Sequence, residues 1–120
     1  MQSARETLEA FYAEVKRKDI AAARTYLDPN LTFVGLFETY RNADQYLAAL
    51  TGLLQIVVRL DVKAIIAEGQ DAAIFFDLET TPPAPATTLV AEWHQIRNRR
   101  IVHVRSAFDG RPFEAMFTGK

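Results

Sequence analysis

The chain has no cysteine, no long hydrophobic run and no excess charge of either sign. Without cysteine there can be no disulfide, no thiolate nucleophile and no cysteine-ligated metal. No apolar run approaches the roughly 18 to 20 residues that a membrane-spanning helix needs, so we expect no membrane partner. The net charge of −1 argues against a nucleic-acid partner, because such proteins use a basic surface to neutralise phosphates.

The composition is that of one ordinary folded domain. The chain has 120 residues, of which 49% are hydrophobic and 24% charged, which favours one core over residues 1–120. The first fifteen residues are charged and amphipathic, unlike a signal peptide, and a cytoplasmic location is therefore expected.

Capping residues and apolar spacing predict three helices. Ser3 with Glu6 three residues later forms a capping box that predicts a helix over 3–17. Asp19 caps a second predicted helix over 20–27, and Asn42 opens a third that runs to about residue 57. Tyr12 lies on the apolar stripe of the first helix, and a buried tyrosine needs a polar partner for its hydroxyl.

Alternating apolar residues predict strands in the rest of the chain. The predicted strands cover residues 31–38, 59–68, 72–80, 87–96 and 101–109. The last two are joined by a tight polar turn at residues 97–100. Helices first and strands afterwards favour an α+β domain with helices on one face of a curved sheet.

The strand over 87–96 carries the sharpest chemical signal. Strand side chains alternate, so Glu92 and His94 share one face of it with Val90 and Ile96. We predict a pocket on that face and assign Phe75, Asp77 and Glu79 to it. Ile74, Phe76, Leu78 and Trp93 are assigned to the opposite sheet face, where they predict an exposed apolar patch and hence a homodimer.

A carboxylic acid in an apolar pocket has a raised pKa, whereas a histidine beside it is driven towards its charged form. Glu92 is accordingly expected to stay neutral and donate a hydrogen bond, with His94 as base or proton shuttle. The alternative is structural: Glu92 and His94 pair across the sheet with Asp77 or Glu79, or the latter two lie at a solvated rim. The two histidines are assigned to opposite faces and no phosphate-binding loop is present, so no metal or cofactor is expected.

Three stretches resemble a known group of proteins. They are YLDPNLTFVG over 26–35, YRNADQYLAALTGLL over 40–54 and RRIVHVRSAFD over 99–109. Their order and spacing resemble the nuclear-transport-factor-2-like superfamily, and within it the SnoaL-like group. The resemblance implies a cone: a curved antiparallel sheet with three helices packed on its concave face around a deep apolar pocket.

The resemblance extends to enzymes with known residue patterns, which this chain matches in part. In the ketosteroid isomerase pattern the general base would fall at Gly35, the tyrosine at Phe11 beside Tyr12, and the carboxylic acid at Glu92. In the limonene-epoxide hydrolase pattern an Arg-x-Asp would fall at Asp77 and Glu79 without its arginine, a partner aspartate at Ser106, and a tyrosine and asparagine at Phe33 and Gly35.

These patterns imply a small apolar molecule as ligand and an acid/base isomerase, cyclase or hydrolase as the activity. The expected catalytic residues are Glu92, His94, Asp77 and Glu79. The expected ligand-binding residues are Tyr12, Phe33, Phe37, Leu50, Leu54, Phe75 and Ser106. The alternative is a dimeric binding or interaction module without catalysis.

Overall fold

A computed structural model describes residues 3–118 as an open, curved six-stranded sheet with helices packed against it. The α-helices of this part of the chain are Ala4–Lys16 (α1), Ile20–Arg24 (α2), Ala43–Leu54 (α3) and Glu114–Thr118 (α4), and α4 follows a 3-10 turn at Arg111–Phe113. The strands are Leu27–Val34 (β1), Thr39–Tyr40 (β2), Val57–Glu68 (β3), Asp71–Thr80 (β4), Ala86–Arg97 (β5) and Arg100–Phe108 (β6). The predicted α+β fold is confirmed, with four α-helices rather than three.

The spatial order of the strands is β2-β1-β6-β5-β4-β3. Strands β3 to β6 form an antiparallel meander, but β1 lies parallel to β6, so the sheet is not wholly antiparallel as predicted. Parallel neighbours need a long connection, and here helix α3 and the meander separate β1 from β6 along the chain. Register shifts within the β1–β6, β3–β4 and β5–β6 pairs accompany the curvature, since bulges bend strands.

The predicted helix starts are confirmed by their hydrogen bonds. Ser3 and Glu6 form the reciprocal capping box, Asp19 accepts from the backbone of Ala22, and Asn42 accepts from the backbone of Gln45. The second helix is shorter than predicted, because β1 begins at Leu27 and continues through Pro29. Proline is tolerated there because the pairing with β6 is interrupted between Leu27 and Thr32.

The assignment of faces on β4 was wrong. In the observed register Ile74 lies opposite Glu92 and Phe76 opposite Val90, so both point to the Glu92 face. Ile74, Phe76 and Leu78 are buried beneath the helices, and Phe75 lies on the outer face. Alternation defines two faces but does not say which one is covered; the uniformly apolar face is the one that gains most from burial.

Helix α1 crosses the inner face of the meander and completes the core. Leu8, Phe11 and Val15 are almost fully buried there, together with Ile101 and Val104 of β6. The turn between β5 and β6 has positive φ at Asn98 (52°) and Arg99 (62°), the geometry of a two-residue type I′ hairpin. Among residues 3–118, no helix has the length and apolar character that a membrane crossing requires.

Candidate functional site

A cavity of about 150 Å³ lies between α1, α3 and the inner face of the sheet. An engineered apolar cavity of roughly this size in another protein holds benzene, so the space fits one ring. Its apolar side chains are Val15, Phe33, Leu36, Phe37, Ala49, Leu50, Leu53, Leu54, Val57, Leu60, Phe76, Leu78, Val90, Phe108 and Phe113. The other lining residues are Tyr12, Gly35, Glu38, Tyr40, Tyr46, Glu92 and Ser106.

Aromatic rings build much of the wall. Phe33 stacks on Tyr46 of α3, with 5.1 Å between ring centroids and 28° between planes, and also contacts Tyr40 at 5.5 Å. The ring centroid of Phe108 lies 6.3 Å from that of Phe37 and 5.6 Å from that of Phe113. The 3-10 turn that follows β6 thus contributes to the wall through Phe113, which is buried.

Glu92 is the centre of a polar cluster in this apolar setting. The Tyr12 hydroxyl donates a hydrogen bond to Oε1 of Glu92, and Nε2 of His94 lies 3.1 Å from the same oxygen. The Tyr12 hydroxyl is also 3.5 Å from Nε2 of His94. Ser106, directly across the strand pair from Glu92, adds a further hydrogen bond to the carboxylate.

These neighbours favour the ionised form of Glu92. Burial by itself raises the pKa of Glu92, but the hydrogen bond and charge of His94, with hydrogen bonds from Tyr12 and Ser106, lower it below its usual value. The expectation of a neutral Glu92 that donates a hydrogen bond was therefore wrong. The sequence showed the apolar surroundings and not the donors that α1 and β6 supply.

The two buried tyrosines of the cavity are neutral phenols. Burial raises the pKa of Tyr12 well above its usual value, and the charge of Glu92 raises it further. Burial also raises the pKa of Tyr46, with a smaller contribution from Glu92. Both hydroxyls therefore keep their protons at neutral pH and can donate.

His94 lies behind Glu92 rather than in the cavity wall. Its side chain is fully buried, against 10% exposure for that of Glu92. Within the described residues its Nδ1 has no hydrogen-bond partner, so the ring is held through Nε2 and by edge packing on Tyr12 at 5.8 Å. His94 can thus act on a bound molecule only through Glu92 or Tyr12.

The structure brings together most of the residues that the sequence assigned to the site. Glu92 and His94 are in contact, and Tyr12, Phe33, Phe37, Leu50, Leu54 and Ser106 line the cavity. Phe11, where the isomerase pattern places its tyrosine, is fully buried in the core, while the adjacent Tyr12 reaches Glu92.

Asp77, Glu79 and Phe75 are not part of the cavity. They lie on the outer sheet face, where Asp77 is 3.7 Å from Nζ of Lys63 and Glu79 is 3.9 Å from Nε of Arg59. These are cross-strand ion pairs at the surface. The predicted pairing of Asp77 or Glu79 with Glu92 and His94 was therefore wrong, whereas the alternative of a solvated position agrees with the structure. No cluster of three or more histidine, aspartate or glutamate side chains that could hold a metal ion occurs between residues 3 and 118.

Tyr46 and Phe76 are among the lining residues that the sequence analysis did not assign to the site. Tyr46 is buried on α3, and the signal that could have found it is that a buried tyrosine needs a polar partner or open space for its hydroxyl. Phe76 was assigned to the wrong face of β4, and it packs 5.5 Å from Tyr12 in the wall.

Solved structures of similar shape define the class of fold. A protein of unknown function from Cytophaga hutchinsonii, described as NTF2-like, is 19% identical, with 93% of this chain and 95% of that one covered and a TM-score of 0.82. An epoxide hydrolase of Mycobacterium tuberculosis, described as LEH-like, is 19% identical over 98% and 96% of the chains, with a TM-score of 0.75. A putative isomerase from Rhodopseudomonas palustris is 14% identical over 93% of each chain, with a TM-score of 0.71. The fold is therefore nuclear-transport-factor-2-like.

The family model for the SnoaL-like domain matches residues 8–104, and the chain belongs to that family. No curated protein matches the chain.

Proposed function

We propose that this protein binds a small, mostly apolar molecule in the cavity and presents it to the carboxylate of Glu92. The observation that carries the proposal is one nearly buried, ionised carboxylate in a wall made otherwise mainly of aliphatic and aromatic side chains. Pockets that bind small molecules have this composition, with few polar groups that fix orientation.

We propose further that Glu92 acts as a base, in acid/base chemistry of the isomerase, cyclase or hydrolase type. Its lowered pKa makes it a proton acceptor and not a donor at neutral pH. Tyr12 and His94 would be positioning residues that orient the carboxylate and stabilise its charge. Asp77 and Glu79 have no part in this proposal, because they lie on the other face of the sheet.

Two adjacent alanines of α3 provide the test of binding. Ala49 lines the cavity, whereas Ala48 is exposed. The ring-sized probe is toluene, with binding followed through the methyl NMR signals of Leu50 and Leu54. We expect Ala49→Trp to weaken toluene binding at least about tenfold by filling the space, and Ala48→Trp to leave it unchanged. Equal binding by both variants, or none by the unmodified protein, would contradict the proposed ligand site.

Proton abstraction is tested without knowledge of the natural substrate. In D₂O, 2-hydroxycyclohexanone offers an acidic C–H next to its carbonyl, and NMR follows replacement of that hydrogen by deuterium. A base in the cavity accelerates the exchange above the buffer rate, and Glu92→Gln returns it to that rate.

Binding without acceleration would select the second candidate, a non-catalytic binding module. One observation favours that candidate: Gly35 and Ser106 line the cavity at positions where the related enzymes carry an aspartate or asparagine. The cavity therefore lacks the second catalytic side chain that each of those patterns requires.

We also propose a homodimer, formed through the outer face of the sheet. Ile66 of β3 and Trp93 of β5 lie in one row, with Ala73 of β4 between them, and Leu89 lies further along β5. Ile66, Leu89 and Trp93 are 64%, 60% and 45% exposed. This patch replaces the predicted one, whose Ile74, Phe76 and Leu78 are buried. A cytoplasmic location and the lack of a nucleic-acid partner stay predictions from composition.

A further inference from the structure

We propose that the cavity selects ring-sized molecules that carry a hydroxyl or amino group, and rejects molecules whose polar group is an anion. The inference rests on the proposed function, since it concerns the chemistry of the same ligand. It follows from the charges of the lining residues, from the hydrogen bonds that Glu92 already makes and from the size of the space.

The charged groups of the cavity wall are all of one sign. The lining includes the carboxylates of Glu92 and Glu38, and among the described residues that line it there is no lysine, arginine or histidine. Glu38 is exposed, whereas Glu92 is nearly buried. An anionic head group in this space would be desolvated next to a carboxylate with no cation to pair with, which is costly.

The carboxylate of Glu92 has room for a further hydrogen bond. Tyr12 donates to Oε1, and Nε2 of His94 contacts that same oxygen. Ser106 adds a hydrogen bond to the same carboxylate. A carboxylate has about four acceptor positions, so these three neighbours leave at least one to accept from a bound molecule. A carboxylate oxygen accepts and never donates, so the complementary group is an O–H or N–H. Hydrogen bonds to a charged acceptor are stronger than those between neutral groups. A ligand with an O–H or N–H group should therefore bind more tightly than one of the same shape without it.

The volume of the cavity limits the size of the ligand. A cavity of about 150 Å³ accommodates one six-membered ring, and the substituent that reaches Glu92 must be short. Phe33, Tyr46 and Phe76 contribute aromatic rings to the lining, which suits a flat ring. Aromatic rings also attract cations, so an ammonium group is compatible with this lining.

Four probes of nearly equal shape separate these possibilities: toluene, benzyl alcohol, benzylamine and benzoate, each titrated at pH 7 with methyl NMR as the readout. We expect benzyl alcohol and benzylamine to bind at least about fivefold more tightly than toluene, and benzoate to bind more weakly than toluene. In Glu92→Gln, benzylamine should lose its advantage over benzoate while toluene affinity stays within about twofold. Glu79→Gln removes a carboxylate from the outer face and should behave as the unmodified protein.

Failure of this inference is distinct from failure of the proposed function. If toluene binds but benzoate binds as well as benzyl alcohol, the selectivity is wrong and the ligand site stands. If Glu92→Gln keeps the preference for benzylamine over benzoate, another group sets it and the inference is wrong. If none of the four probes binds, the proposed function fails and this inference fails with it. The probe series on the unmodified protein decides the question even if the variant does not fold.

Discussion

The charge state of Glu92 is set by its polar neighbours acting together against burial. Burial favours the neutral form of the carboxylate. The hydrogen bond and charge of His94, with further hydrogen bonds from Tyr12 and Ser106, reverse that preference. Two of these donors come from other elements, since Tyr12 is on α1 and Ser106 on β6. The sequence predicted that Glu92 and His94 share a face, because strand alternation is local. It could not predict the charge of Glu92, because that depends on contacts between residues 80 positions apart.

The lowered pKa of Glu92 determines how the stability of the fold changes with pH. Because the folded-state pKa lies below the ordinary value of 4.5, the ionised carboxylate stabilises the fold above about pH 4.5. That contribution is lost as the pH falls through the folded-state pKa.

Replacement of Tyr12 by phenylalanine tests this account. Loss of the donated hydrogen bond should raise the pKa of Glu92 towards its usual value, as measured by the ¹³C shift of its carboxyl carbon. The variant should also lose about 1 to 3 kcal/mol of unfolding free energy at pH 7. The loss should become smaller as the pH falls through the folded-state pKa of Glu92, because the carboxylate is then protonated in both proteins.

Tyr40→Phe is the matched control, because it removes a hydroxyl from another part of the same cavity wall. An equal pKa change in both variants, or a stability difference that does not vary with pH, would show that Tyr12 does not act through Glu92.

At the scale of elements, β4 shows where sequence patterns stop being informative. Its alternation was evident and its boundaries were nearly correct, yet its covered side was assigned wrongly. Strand periodicity is symmetric between the faces, and only the packing of α1 and α3 decides which one is buried. The uniformly apolar set Ile74, Phe76 and Leu78 was a signal for burial, and the charges of Asp77 and Glu79 were a signal for exposure.

Adjacent phenylalanines of β4 give a direct test of the corrected face. Phe76→Ala removes a ring that is 4% exposed and packs on Tyr12, and it should cost about 3 to 5 kcal/mol of unfolding free energy. Phe75→Ala removes the same ring from the half-buried outer face, and it should cost less than half as much. Urea unfolding measures both. A larger loss for Phe75→Ala would mean that the sheet presents the opposite face to the helices.

At the scale of the whole molecule, the sheet separates two surfaces with different expected roles. Its inner face, with α1 and α3, encloses the cavity and Glu92. On its outer face Ile66, Leu89 and Trp93 are exposed to solvent. The same face carries ion pairs such as Lys63 with Asp77. A resemblance in order and spacing predicted the fold well, because the family shares its architecture at below 25% identity. The chemistry implied by that resemblance stays a prediction, because it depends on single positions such as Gly35 and Ser106.

The exposed apolar patch on the outer face of the sheet predicts a homodimer. An apolar patch on adjacent strands gains by burial against an identical patch, and two-fold dimers are the commonest way to achieve this. We expect sedimentation equilibrium at tens of micromolar to give about twice the chain mass of 13.5 kDa. Leu89→Asp should give a monomer, because a carboxylate would be buried without a partner at the interface. Met116→Asp, at an exposed apolar position on α4, should remain dimeric. A monomeric unmodified protein, or a dimer that tolerates Leu89→Asp, would exclude this face as the interface and would leave the cavity, formed within one chain, unaffected.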